Sequence, residues 1–196
     1  MSELSPSDHG SSDHVHDDAC AAAHGEVVLP RDPRTVVVVF ASPVAHEIGV
    51  LAARLGWPVM LLDPVAGNLD GAQVPTTTVV DNAGLDARTD VVFCDHGRPE
   101  LGDLLAEVLR HPTRWVGVMG SARHTAPHVE ALRSRGVDEE TIARVHRPIG
   151  LDIGSHTPVE IAISTVAGLL ADRNGRPGGF PTPPPAVSPL LVTQET

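Results

Sequence analysis

The chain has 196 residues, of which 41% are apolar and 3% aromatic, and it carries a formal net charge of −11 without any lysine. This length allows one domain with a substantial core of aliphatic side chains. The acidic charge argues against nucleic acid or an anionic membrane as the main partner. Because no apolar run is long enough to cross a membrane and no leader is visible, we expect a soluble, cytoplasmic protein. Two cysteines do not make a disulfide framework.

Residues 1–34 are polar and acidic, and we expect them to be a disordered tail. Histidines, aspartates and a cysteine cluster there, and the candidate metal ligands are His9, His14, His16 and His24. Imidazole, carboxylate and thiolate groups together bind zinc, nickel or copper. Their irregular spacing favours a plain tail, and metal binding is kept as the alternative.

From residue 35 onward the pattern predicts a β-α-β unit. Residues 36–41 are a continuous β-branched run typical of a strand buried on both faces, residues 45–55 have helical spacing, and residues 58–62 form a second strand. Buried strands joined in this way predict a parallel sheet with a right-handed crossover.

The first turn of this unit is where a dinucleotide-binding fold carries G-x-G-x-x-G. Residues 41–47 read Ala-Ser-Pro-Val-Ala-His-Glu instead. Without glycines a pyrophosphate cannot approach the backbone closely, and Pro43 lacks an N–H donor. Asp63 stands where a ribose-binding acid is expected, although an acid before proline is also an ordinary turn residue. The sequence therefore disfavours NAD or NADP binding at this turn.

Strands and helices continue to alternate along the rest of the chain. We predict strands over residues 76–80, 90–94 and 114–119, and helices over residues 99–110, 121–135, 138–145 and 157–173. Residues 174–196 are rich in proline, and we expect them to be a second disordered tail.

Ligands of open parallel sheets bind beyond the carboxyl ends of the strands, where Asp63 is one candidate. Cys94 and His96 follow another strand. A thiol in that position can be a nucleophile, a sulfur carrier or a metal ligand. A cysteine that ends a buried strand is also commonly a small core residue, so both interpretations stay open.

A third candidate begins at Gly120 and Ser121, which predict the start of a helix. The N–H groups of a helix start and the guanidinium of Arg123 suit a phosphate. The alternative is a plain helix cap without a ligand.

Residues 146–164, HRPIGLDIGSHTPVEIAIS, contain several residues that favour turns and the start of a helix. Gly150 and Gly154 can adopt φ values that other residues avoid. Thr157 predicts a helix cap, with a glutamate three residues later to complete a capping box. A turned loop that leads onto a helix N-terminus favours an anion, and Asp152 would orient a hydroxyl or hold the loop. A well-capped loop without a ligand is the alternative.

The same stretch resembles the C-terminal signature of the xanthine dehydrogenase accessory (XdhC/CoxI) family, P-I-G-L-D-I-G-x-x-T-P-x-E-I-A-x-S. Residues 117–123, GVMGSAR, are similar to the G-x-x-G-S-x-R element of that family, and residues 93–96, FCDH, resemble its T-H-D-H strand end imperfectly. The resemblance covers roughly residues 35–173. The family usually carries G-A-G-H-V-G at the first turn, and those glycines are missing here.

This resemblance implies a factor that binds the molybdenum cofactor, aids its sulfuration and delivers it to a molybdenum hydroxylase such as xanthine or carbon-monoxide dehydrogenase. The implied partners are that hydroxylase and a cysteine desulfurase, and a homodimer is an assembly that the resemblance allows. We expect a non-catalytic accessory protein. An NAD(P)-dependent oxidoreductase and a metal-binding protein acting through the histidine-rich tail are the alternatives.

The predicted fold is α/β, a Rossmann-like three-layer sandwich whose mostly parallel sheet has five or six strands. The predicted organisation is a tail over residues 1–34, one Rossmann-like domain over residues 35–173 and a tail over residues 174–196. The residues expected to bind a cofactor are Asp63, Gly120, Ser121, Arg123, Gly150, Asp152, Gly154 and Thr157.

Overall fold

The structure is a computed structural model that describes residues 21, 24–25, 34–120 and 126–179. The chain divides into two units, residues 1–32 and residues 33–196. Of the two predicted tails, the structure describes residues 21, 24, 25, 34 and 174–179, and their other residues lie outside the described part of the chain. The folded domain is therefore read from residues 34–120 and 126–179.

Six parallel strands form one sheet in the order β3-β2-β1-β4-β5-β6. The strands are β1 Thr35–Val39, β2 Val59–Leu62, β3 Thr76–Thr77, β4 Thr89–Phe93, β5 Trp115–Val118 and β6 Val145–His146. This is the doubly wound order in which the chain reverses direction across the sheet between β1 and β4. The predicted Rossmann-like α/β fold is confirmed.

In the described part of the chain, five α-helices cover the two faces of the sheet. They are α1 Pro43–Arg54, α2 Leu101–Val108, α3 Pro127–Arg133, α4 Glu139–Ala143 and α5 Pro158–Arg173. Alternate residues of β1 point to opposite faces, so Val36 and Val38 pack with α1 and α5, whereas Val37 and Val39 pack with α2 and α3. The valine run is buried on both faces, which produces the predicted three layers.

At both edges of the sheet the elements differ from the sequence-based expectation. The strand predicted over residues 76–80 is limited to two residues, because Val80–Ala83 turns into a short 3-10 helix. The helix predicted over residues 138–145 ends at Ala143, and Val145–His146 instead pairs with β5 as an edge strand. A two-residue strand has no periodic pattern of its own, so only its tertiary pairing reveals it.

The crossover from β2 to β3 contains no α-helix. Between these strands the backbone forms only a one-turn 3-10 helix, Ala66–Leu69, none of whose residues is buried. None of the helices in the described part of the chain combines the length and the apolar character that crossing a lipid bilayer requires.

Candidate functional site at the carboxyl edge of the sheet

The turn after β1 contains a residue with unusual backbone geometry. Phe40 has a φ of 71°, in the left-handed region that usually selects glycine. Its buried ring contacts Phe93 at the end of β4 edge-on, with the ring centroids 5.9 Å apart. Phe40 thus has a backbone conformation that glycine usually adopts in such a turn, but its side chain is aromatic and packs into the core. Ser42 then caps α1 by accepting a hydrogen bond from Ala45 N.

Asp63, at the end of β2, is fully buried and accepts hydrogen bonds from three directions. Its carboxylate oxygens accept from Ala41 N and from Val65 N, each at 3.0 Å. Asn68 Nδ2 donates to both oxygens at 3.1 and 3.2 Å. In a dinucleotide-binding fold an acid at this position binds the ribose, but in this chain the Asp63 carboxylate is hydrogen-bonded to groups of the protein itself.

Arg98, in the loop after β4, completes this arrangement. Its guanidinium lies 3.4 Å from both oxygens of Asp63 and 4.9 Å from the centroid of the Phe40 ring. It also donates to both carboxylate oxygens of Glu100 at 3.1 Å, and this hydrogen bonding raises the pKa of Arg98. Sequence reasoning did not select Arg98. The available signal was a basic residue shortly after a strand end, in the loop that also holds Cys94.

Cys94 and His96 are not brought together as a catalytic pair. The Cys94 thiol is packed among apolar side chains and lies 3.9 Å from Val92 O, while His96 is exposed. Burial raises the pKa of the Cys94 thiol well above its usual range, and the charge of Asp95 adds to the effect. A thiol held in its protonated form is a poor nucleophile.

At the end of β5, Gly120 has a φ of 152° and packs against Arg147, whose guanidinium a Cβ at Gly120 would overlap. Ser121 and Arg123 lie outside the described residues, and the helix predicted from residue 121 is described only from Pro127. His128 in that helix is buried, and burial, followed by the charge of Arg147, lowers its pKa. The turn after β5 and the residue after β6 therefore meet at one edge, as the parallel strands require.

The signature loop, residues 147–157, leaves β6 and docks on the middle of α5. A Cβ at Gly150, whose φ is 85°, would lie 2.6 Å from Ser164 Oγ, so only glycine fits. Leu151 N donates to Ser164 O at 3.1 Å, and Ser164 Oγ donates to Leu151 O at 2.5 Å. Gly168 also approaches Gly150 closely. Gly150 thus serves a close contact between the loop and the helix.

The N-terminus of α5 lies toward the carboxyl edge, because Leu169 O near its other end accepts from Arg34 at the start of β1. The predicted capping box is present: Glu160 N donates to Thr157 Oγ1, and Glu160 Oε2 accepts from Thr157 N at 3.0 Å and from His156 N at 2.8 Å. A carboxylate of the chain itself therefore sits where an anion was expected.

Other predicted site residues lie at the surface or outside the described residues. Asp152 and Gly154 are exposed, and Gly154 has a φ of 67°, where a Cβ added to it would meet no atom within 4 Å beyond its chain neighbours. His24 is exposed, whereas His9, His14 and His16 lie outside the described residues. Over residues 34–120 and 126–179, and at residues 21, 24 and 25, no three metal-ligating side chains are grouped to hold an ion.

A cleft of about 470 Å³ opens between α1 and the β2–β3 crossover. Its floor is the α1 side of the sheet, and Arg98, Ser42 and Asn68 line the end near the carboxyl edge. A smaller cleft of about 240 Å³ lies between the signature loop and α5, beside Trp115, whose indole stacks on His146 with centroids 5.0 Å apart.

The model of the XdhC Rossmann domain family matches residues 36–169, which is more than half of the chain. The Escherichia coli K12 protein YqeB is 33% identical over 153 residues, a match that covers 74% of this chain and 28% of YqeB. A Bacillus halodurans protein whose crystal structure is described as a xanthine dehydrogenase has a similar fold, with a TM-score of 0.61 and 18% identity. That match covers 73% of this chain and 45% of the other.

This chain therefore spans less than half the length of either relative. The family match nevertheless includes β1 to β6, the signature loop and most of α5. The resemblance seen in the sequence is confirmed, and the chain belongs to the XdhC family through its Rossmann domain.

Proposed function

We propose that the chain is an accessory factor in the maturation of a molybdenum hydroxylase of the xanthine or carbon-monoxide dehydrogenase type. In this role it binds a phosphate-bearing cofactor such as the molybdenum cofactor. The observation that carries the proposal is the match of the XdhC Rossmann domain to residues 36–169, signature loop included. The hydroxylase is the client, and a cysteine desulfurase that supplies sulfur is a further partner.

The side chains at the carboxyl edge favour a carrier over a catalyst. A nicotinamide-dependent oxidoreductase would use Asp63 for ribose, but both oxygens of Asp63 are engaged within the protein. A nucleophilic mechanism would need a reactive Cys94, but burial raises the pKa of this thiol. These two features support a protein that binds and transfers a cofactor without transforming it.

The cleft that adjoins the edge has an apolar floor, which suits the ring system of such a cofactor. Arg98 lines the same cleft with its side chain 20% exposed, and its guanidinium is paired with Asp63 and Glu100. Once delivered, the molybdenum cofactor supplies the redox chemistry of the hydroxylase. The residues of this chain would bind the cofactor, orient it and shield it from water.

The proposal is tested by producing a molybdenum hydroxylase in a host that lacks its own XdhC-family protein, with and without the full-length chain. We expect the chain to raise both the hydroxylase activity and the molybdenum content of the purified hydroxylase. The same preparations of the chain should carry molybdenum and oxidisable pterin. Equal activity and equal molybdenum content with and without the chain would refute the accessory role.

A further inference from the structure

The last helix, α5, has an unusual distribution of polar and apolar residues. Ser164 and Thr165 are buried, and each of their hydroxyls donates to a backbone carbonyl. Val159 and Ile163, in contrast, are each 47% exposed. A surface helix normally turns its polar residues to water, and a helix that is apolar all round is normally covered on every side. The outer face of α5 is therefore suited to contact with another surface.

The apolar residues of this face follow one line along the helix. Four of them share the face at spacings of four, four and three residues, and we call them the outer stripe: Val159, Ile163, Ala167 and Leu170. The first two are exposed and the last two are half-buried. An exposed apolar stripe of this kind marks an interaction surface more often than a plain solvated face.

Two charged residues flank the outer stripe at its ends. Glu160 lies in the first turn of α5 on one side of the stripe, and Arg173 lies in the last turn on the other side. Glu160 is exposed, with one carboxylate oxygen held by the capping box. Arg173 is half-buried, with its guanidinium 5.9 Å from the centroid of the Trp57 ring. The stripe between them is uncharged, so a second copy of this acidic chain can approach it with little local repulsion.

We propose that two copies of the chain associate through the outer stripes of their α5 helices, packed antiparallel about a twofold axis between Val166 and Ala167. A twofold axis brings the same surface of both copies together, so each contact occurs twice. Ile163 then lies level with Leu170 of the second copy, because the two residues are equally far from the axis. The small side chain of Ala167 at the axis lets the two helices approach closely.

The flanking charges favour the antiparallel direction. In this arrangement Glu160 lies level with Arg173 of the second copy, on the same side of the contact, so that opposite charges meet at both ends. A parallel arrangement would place Glu160 level with Glu160 and Arg173 level with Arg173. The pairing does not depend on the proposed client or cofactor.

The size of the contact sets the expected strength of the association. A helix of 16 residues is about 24 Å long and 10 Å across. One pair of such faces is smaller than a standard interface, which buries roughly 1,600 Å². We therefore expect a dimer that dissociates at micromolar concentrations of the chain.

The first test is sedimentation equilibrium of the purified full-length chain over a range of concentrations. Ile163→Arg places a charge in the outer stripe, and Val79→Arg is the matched control because Val79 is also 47% exposed but follows β3. We expect the parent to dimerise, Ile163→Arg to raise the dissociation constant more than about tenfold, and Val79→Arg to leave it within about twofold. Thermal melting shows whether the variants are folded. If Ile163→Arg does not fold, Ile163→Ser takes its place, and several-fold weaker association is expected.

The second test determines the direction of the pairing by cross-linking with a short bismaleimide. The background is Cys20→Ser, in which the remaining thiol, Cys94, is packed among apolar side chains. Ala167→Cys lies beside its own copy at the axis and should cross-link. In the antiparallel dimer the two Val159 positions are about 22 Å apart along the helices. Val159→Cys should therefore not cross-link, although Val159 is more exposed than Ala167.

A chain that stays monomeric at the highest concentrations, or a dimer that Ile163→Arg leaves intact, would overturn the α5 interface. Cross-linking of both cysteine variants would overturn the antiparallel direction, and cross-linking of neither would overturn the position of the axis. Dissociation by Ile163→Arg together with cross-linking of Ala167→Cys alone would support both the face and the direction of the pairing.

Discussion

At the scale of single residues, the left-handed backbone of Phe40 combines two opposing contributions. A left-handed conformation costs an L-residue about 1–2 kcal/mol. Replacing a fully buried phenylalanine by a small residue costs roughly 3–5 kcal/mol. The packing of Phe40 against Phe93 and Arg98 therefore outweighs the backbone strain, and an aromatic side chain is stable where a glycine would be expected.

This balance predicts an unusual order of stabilities. Both Phe40→Gly and Phe40→Ala should be less stable than the parent, Phe40→Gly by about 2–3 kcal/mol after the relief of strain. Phe40→Ala keeps the strain and should be the less stable variant, although alanine elsewhere stabilises a chain relative to glycine. Urea denaturation of the three proteins measures this order. An alanine variant at least as stable as the glycine variant would show that no strain is stored there.

Cys94 is predicted to be inert in the folded protein. Burial raises the pKa of its thiol, so the reactive thiolate is scarce at neutral pH. In a Cys20→Ser background, reaction with a disulfide reagent should be slow in buffer and complete in guanidinium chloride. Rapid reaction of the folded protein would instead support the reactive interpretation of Cys94.

His128 is predicted to make stability depend on pH. Burial and Arg147 depress the pKa of the imidazole in the folded state below 6.5. Below pH 6.5 the unfolded chain therefore binds a proton that the folded chain does not bind. The contribution of the neutral imidazole to the unfolding free energy is complete above the pKa of the unfolded state and is lost as the pH falls toward the pKa of the folded state. His128→Gln should therefore show a smaller loss of unfolding free energy between pH 7 and pH 5. Equal losses in urea titrations would contradict this assignment.

At the scale of elements, the sequence predicted the structures that depend on neighbouring residues and missed those that depend on tertiary contacts. The β1 valine run and the Thr157 capping box were predicted because their patterns lie within a few residues. The start of α3 was missed although Pro127 was a usable signal, since the residue before proline disfavours helix. In the site, Asp63 was selected from its strand end, but Arg98 was not, because their pairing joins residues 35 positions apart.

The signature loop offers a matched pair of glycines for testing what it contributes. Gly150 and Gly154 are both left-handed, but only Gly150 contacts α5. Each change to alanine adds backbone strain, and Gly150→Ala also forces a Cβ against Ser164. Overpacking of this kind costs roughly 1–3 kcal/mol, so Gly150→Ala should be less stable than Gly154→Ala by that amount. Equal unfolding free energies of the two variants would show that the contact between the loop and α5 accommodates the added methyl group without loss of stability.

At the scale of the whole molecule, a charge network around the buried side chains of Arg34 and Asp90 joins the first and last elements of the sheet domain. Arg34 lies 2.9 Å from Asp90 and donates to Leu169 O at 3.3 Å. Arg114 lies 2.8 Å from Asp90 and 2.6 Å from Asp172. The network therefore ties β1 and β4 to β5 and to the end of α5, at the edge of the sheet opposite the candidate site. Arg34, which the sequence placed at the end of the tail, is buried here.

Arg34→Met should accordingly destabilise the full-length chain by about 2 kcal/mol, the worth of a hydrogen-bonded contact to a charged group. The loss should stay below the roughly 3–5 kcal/mol of a fully broken buried pair, because Arg114 still compensates Asp90. Arg88→Met is the matched control, since Arg88 pairs with Asp86 at 3.6 Å on the surface, and it should change stability by less than about 0.5 kcal/mol. Urea denaturation compares the two variants directly. If Arg34→Met costs no more than Arg88→Met, the apolar methionine replaces the ion pair without loss, and the network serves to align these elements without adding stability.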